Sequence, residues 1–202
     1  MMTTQTRLHA KPEASPGVQP QPRLFTIDEY FAMAEAGILG LEERVELIDG
    51  LVIVMAPIGN PHQASVDKST RNLVISVGTR GIVRTQGSIA LNDRSMPQPD
   101  LVLLRERADF YTSQRVGPDD VLLLIEVSDT TADYDRNVKL PRYAEAGIPE
   151  VWIAVIPEGI VEAHTEPAEG RYRVRRTFGP GDTISPGCFP DITLPVSEIL
   201  PS

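Results

Sequence analysis

The sequence predicts an α/β (α+β) fold, a mixed β-sheet flanked by helices, and three observations carry that prediction. Helical and extended signals alternate along the chain. Val121 to Val127 (Val-Leu-Leu-Leu-Ile-Glu-Val) is apolar without alternation, as in a central strand buried on both faces. A helical segment and a second apolar run, Val151 to Ile156, come next, so strand, helix and strand read as a parallel crossover.

Residues 1–22 are polar, rich in Pro, Gln and Ala, and without periodicity. They read as a disordered leader before a single domain over residues 23–202. Thr26-Ile27-Asp28-Glu29 has the form of a capping box, and Tyr30, Phe31 and Ala34 follow at helical spacing until Gly37 and Gly40. Arg44 to Ile48 and Leu51 to Ala56 are extended runs joined by Asp49-Gly50, a strong hairpin signal. Asn60-Pro61 opens a helix whose apolar stripe is Val66, Leu73, Val74 and Val77. Ile82 to Thr85, Ser88 to Leu91 and Asp100 to Leu104 have the composition of short strands. A helix from about Asp133 to Ala146 contains Pro141, which calls for a kink or a break. Gly159 to Thr165 and Tyr172 to Thr177 form an antiparallel tail to the sheet, and Gly181 to Pro190 reads as loop.

The chain has 202 residues, 41% of them hydrophobic, enough for one sizeable core; only 5% are aromatic, so Val, Ile and Leu must fill it. Its formal net charge is −9. That argues against broad, non-specific binding to a polyanion but leaves room for a local basic cleft. With one cysteine, Cys188, an intrachain disulfide is ruled out and a reducing, cytoplasmic setting fits. Cys188 itself reads as a small apolar residue near a loop. No apolar run approaches the roughly 20 residues that span a membrane, and the N-terminus lacks the apolar segment of a signal peptide.

Glu126 is the most informative residue. It interrupts an otherwise apolar run, where a carboxylate must be paired or hold a metal to offset its lost hydration. Asp100 opens the run Asp100 to Leu104, and alone a Pro-Asp pair is turn chemistry. With Glu126 on an adjacent strand it gives two oxygen donors that, with waters, suit Mg²⁺. Lys139, thirteen residues after Glu126, lies on the following helix and could reach the same place to stabilise phosphate charge; otherwise it is an exposed lysine paired with Asp135. Glu46, among Val45, Leu47 and Ile48, faces either a cleft or solvent. His62 could touch a phosphate or be solvated in its helix's first turn. Ser128 shares Glu126's side of the strand and could donate into the site or form a turn.

Four segments occur in order: Arg-Val-Glu-Leu-Ile-Asp-Gly (44–50), Pro-Asp-Leu-Val (99–102), Glu-Val-Ser (126–128), and Lys-Leu-Pro-Arg-Tyr-Ala-Glu-Ala-Gly-Ile-Pro-Glu-Val-Trp-Ile (139–153). Together they resemble the Uma-type restriction endonuclease family of the PD-(D/E)XK nuclease superfamily, over roughly Leu24 to Leu200. The resemblance implies a restriction-endonuclease-like fold and hydrolysis of DNA phosphodiester bonds with Mg²⁺ (or Mn²⁺), by a homodimer. It implies Asp100, Glu126 and Glu46 as metal-binding carboxylates and Lys139 as the catalytic lysine. One departure stands out: two residues after the acidic position the superfamily pattern has lysine, and this chain has Ser128. A catalytically inactive nuclease-fold protein, acting as a binding or regulatory module, is the alternative.

Overall fold

The computed structural model describes residues 21–40 and 42–201, so the expected leader falls almost entirely outside it. Helix α1 (Ile27–Glu35) starts where the sequence places it: the Thr26 hydroxyl accepts from the Glu29 N–H, and the Glu29 carboxylate accepts from the Thr26 N–H. Strands β1 (Val45–Ile48) and β2 (Leu51–Val54) form the expected hairpin. Asp49 and Gly50 both take positive φ, 50° and 78°, as a tight two-residue turn needs. A Cβ on Gly50 would stand 2.7 Å from Leu24 Cβ, so the turn also requires a residue without a side chain.

Helix α2 (Asn60–Val77) has its proline in the first turn and buries Val66, Leu73 and Val77. Val74, expected in that stripe, is half exposed. The rest builds a six-stranded sheet in the order β3 (Gly81–Thr85), β4 (Leu101–Arg105), β5 (Val121–Ser128), β6 (Glu150–Val155), β7 (Ile160–Ala168), β8 (Arg171–Phe178). The β5–β6 pair is parallel and the others antiparallel, which is the mixed sheet expected. Ser88 to Leu91 does not join it. Its N–H groups bond singly to Pro97, Val116 and Ser95 carbonyls, and Ile89 and Leu91 are buried. Apolar residues with strand composition are here a core-lining loop. The segment expected as loop after Gly181 contributes β9 (Thr183–Ile184), paired with β10 (Leu194–Pro195).

Both faces of the sheet are covered. Leu101, Leu103, Leu123, Ile125, Val127 and Trp152 pack against α2 and the C-terminal segment. Val102, Leu104, Leu124, Val151 and Ile153 pack against Tyr143 and Ile148 on the other face. The crossover between β5 and β6 supplies this second layer. It begins as a helical turn, α3 (Ala132–Tyr134), widens into a π-helical segment (Asp135–Lys139), and continues as α4 (Leu140–Glu145). Pro141 accounts for the irregularity: it has no N–H for the Asn137 carbonyl, and its ring crowds that carbonyl. Among the described residues no helix is long and apolar enough to cross a membrane.

Candidate active site

Asp100 stands one residue before β4. Continuing the register Leu101↔Ile125 by one pair sets it opposite Glu126. Residues opposite each other on antiparallel strands present their side chains to the same face. Here that is the face under α3 and α4. Lys139 comes down from the π segment onto the same spot, its Nζ 3.1 Å from Glu126 Oε1 and 3.3 Å from a Glu46 oxygen. The structure therefore brings Asp100, Glu126, Lys139 and Glu46 to one cleft, with exposures of 8, 3, 5 and 3%. The cleft measures about 360 Å³, and β2, the segment from Met55 to Gly59 and Asp129 to Thr131 complete its walls.

Each of these groups is held by neighbours. Tyr143 donates to Glu126 over 2.6 Å. The Val127 N–H donates to Asp100 over 2.8 Å, and His62 Nε2 lies 3.1 Å from the same carboxylate. Glu46 accepts from the Gln98 N–H at 3.1 Å and from the Tyr134 hydroxyl at 3.2 Å. Ser128 does not point at Glu126; its hydroxyl donates to Asp135 at 2.7 Å, beside Thr131 at 2.8 Å. Lys139 thus pairs with Glu126 and Glu46, not with Asp135. The hairpin is clamped over the cleft by the Arg142–Asp49 ion pair and by Met96 N–H to the Leu47 carbonyl, 2.7 Å.

Burial dominates the electrostatics. It pushes the Glu126 carboxyl up to about 8; the Lys139 charge pulls it back, and the Asp135 and Asp100 charges push it further up. Burial opposes the charge on Lys139, yet Glu126, Glu46 and Asp135 hold that ammonium protonated well above the usual lysine range. Burial also raises Asp135, against the Ser128 and Thr131 hydrogen bonds, and raises Tyr143, reinforced by the Glu126 charge. The cleft is a place with more negative charge than one lysine relieves.

A divalent cation fits part of this donor set. Asp100 and Glu126 are hard oxygen donors on one face, in a cleft with room for water, which suits a cation that keeps most of its hydration. Among the described residues no three His, Cys, Asp or Glu side chains form a ready metal group. Glu46, the candidate third carboxylate, has its oxygens engaged by Lys139, Tyr134 and Gln98.

The sequence reading passed over Tyr134 and Tyr143, and named Asp135 only as a surface partner for Lys139. Asp135 and Tyr143 lie four residues either side of Lys139, the signal that could have placed them on the same helix face.

The sequence model of the Uma2 family, described as "Putative restriction endonuclease", matches residues 27–197. No curated protein matches the chain in sequence. Among solved structures, the fold is similar to a crystal structure described as "a putative nuclease belonging to DUF820" from Anabaena variabilis ATCC 29413. The two align with a TM-score of 0.66 over 87% of this chain and 97% of that one, at 14% identity. At that identity the likeness speaks for the fold, a restriction-endonuclease-like mixed sheet flanked by helices. With most of its length matched by the family, the chain belongs to the Uma2 family of restriction-endonuclease-like proteins.

Proposed function

We propose that this protein is a divalent-metal-dependent endonuclease that hydrolyses DNA phosphodiester bonds in this cleft. One observation carries the reading: Asp100, at the head of β4, continues its register to face Glu126 of β5, with the Lys139 ammonium 3.1 Å from Glu126. Family membership supports a nuclease in general. Asp100 and Glu126 would hold Mg²⁺ or Mn²⁺. Glu46 keeps Lys139 in place and would have to release a contact before serving as a third ligand.

The cation, when bound, would supply Lewis-acid chemistry, lowering the pKa of a water and neutralising charge on the scissile phosphate. The chain's own residues do the positioning. His62 and the Val127 N–H fix the Asp100 carboxylate. Tyr143 fixes that of Glu126. Lys139 presents a permanent positive charge to the phosphate as negative charge develops on it. The walls formed by β2 and α3 keep the reacting groups out of bulk water, which strengthens each of these interactions. A homodimer would let two such clefts act on both strands.

The test is incubation of supercoiled plasmid and single-stranded DNA with Mg²⁺ or Mn²⁺, beside the Asp100→Ala variant. Metal-dependent cleavage by the wild type and none by Asp100→Ala is expected. Full cleavage by Asp100→Ala overturns the mechanism. One observation favours the inactive alternative: Lys139 bridges Glu126 and Glu46, so the buried charges partly neutralise one another without a cation.

A further inference from the structure

The cleft poses a problem for a nuclease. Glu46, Asp100, Glu126, Asp129 and Asp135 all line it, and a phosphodiester brings a further negative charge. Of its two permanent cations, Lys139 is buried between two carboxylates that offset part of its charge, and the rest is committed to the phosphate being cleaved. The other is Arg44, the first residue of the 44–50 motif and one to which neither the motif nor the metal chemistry gives a role.

Arg44 immediately precedes β1 and lies two residues before Glu46, so alternation aims both side chains to the same side of the hairpin. It is half-buried and lines the cleft wall. Its guanidinium donates one hydrogen bond, 2.8 Å, to the Ala56 carbonyl. Among the described residues no carboxylate lies within ion-pair distance of it, and it is the one arginine among those lining the cleft. A guanidinium carries five N–H donors in a planar fork that matches two oxygens of one phosphate. The Ala56 carbonyl takes one of those donors, and among the described residues the guanidinium has no other hydrogen-bond partner. The first turn of α2, which also opens on this wall, carries no acidic residue.

We propose that Arg44 is a substrate-binding residue that grips a backbone phosphate of the nucleic acid beside the one cleaved. This rests on the nuclease reading of the cleft and adds to it the contact that seats a polyanion in an acidic groove. The phosphate would take the place that a carboxylate takes at ion-paired arginines such as Arg136 and Arg142. Because the contact is to backbone, it is independent of base sequence.

The test is fluorescence anisotropy of a labelled 30-mer duplex at several NaCl concentrations, in a Glu126→Gln background that stops turnover. Arg44→Gln removes the charge but keeps an N–H for the Ala56 carbonyl, so the hairpin is spared; Arg44→Lys keeps the charge without the fork. Plasmid cleavage by the wild type is measured in parallel. Arg44→Gln should bind about 10-fold more weakly, and the slope of log K against log salt should fall by about one. Arg44→Lys should recover part of both. If Arg44→Gln binds with unchanged affinity and slope while the wild type cleaves, the Arg44 assignment is wrong and the nuclease reading stands. If the wild type neither binds nor cleaves, both fall.

Discussion

At the residue scale the site is an arrangement of buried charges that depend on one another. Lys139 touches Glu126 and Glu46, all three nearly excluded from water. Removing one member leaves its partners unpaired, at a cost of about 3–5 kcal/mol. Lys139→Met should therefore lower unfolding free energy in denaturant by that order. Combining it with Glu126→Gln should cost less than the two single changes added together, since the second removes the orphan the first creates. Additive losses would mean that the two groups do not interact as their distance implies. Tyr143→Phe deletes one hydroxyl donated to Glu126 and should cost about 1–2 kcal/mol by the same measurement. Asp100 and Glu126 were legible in the sequence because a carboxylate inside or at the head of an apolar strand is anomalous. Tyr134 and Tyr143 were not, because a tyrosine on a helix is ordinary until something shows what its hydroxyl meets.

At the element scale, the hairpin and the irregular helix set where the site groups stand. Gly50 turns the chain between β1 and β2 with φ of 78°, and Leu24 and the Phe25 backbone close off the space a side chain would need. Gly50→Ala should lose well over about 1 kcal/mol, read as a fall in Tm, and should weaken activity because Glu46 rides on this hairpin. An unchanged Tm would show that the turn relaxes. On β7, Glu162 accepts from Arg136 of the π segment, from Arg175 of β8 and from His164 at 3.0 Å. Burial holds His164 below the usual histidine range, against the pull of Glu162. Burial would raise Glu162, but the Arg136 and His164 hydrogen bonds outweigh it and hold the carboxyl below the usual range. Both folded-state values are depressed, so the unfolded chain takes up protons first as pH falls. The stability these groups contribute is present above their unfolded values, 6.5 for the imidazole and 4.5 for the carboxyl, and is lost below them. A Tm-against-pH series should show wild type falling more steeply than His164→Gln from pH 6.5 downward, and parallel curves would contradict this. Turn chemistry made the hairpin legible and Pro141 announced a break. That the break would be a π segment, and that Ser88 to Leu91 would stay out of the sheet, depended on tertiary neighbours that local composition does not encode.

At the scale of the whole molecule, the mixed sheet exists to bring β4 and β5 side by side and to lay the crossover helix over them. The continuous apolar run of β5, the parallel β5–β6 pair and the antiparallel tail follow from pattern alone, and these were enough to put Asp100 and Glu126 on neighbouring strands. The closing of the cleft by a separate two-stranded hairpin was not readable, since its docking rests on contacts between segments distant in sequence: the apolar cluster of Leu47, Ile27 and Met96, the Arg142–Asp49 ion pair and the Gln98 N–H to Glu46. The whole construction makes sense if Asp100 and Glu126 act together on a divalent cation. The most direct test is calorimetric titration of Mn²⁺ or Mg²⁺ into the intact protein, beside Asp100→Ala and Glu126→Gln. Saturable binding of about one ion per chain, lost in both variants, is the result expected for a two-carboxylate site completed by water. Wild type that binds no cation, or variants that bind it as wild type does, would contradict the account.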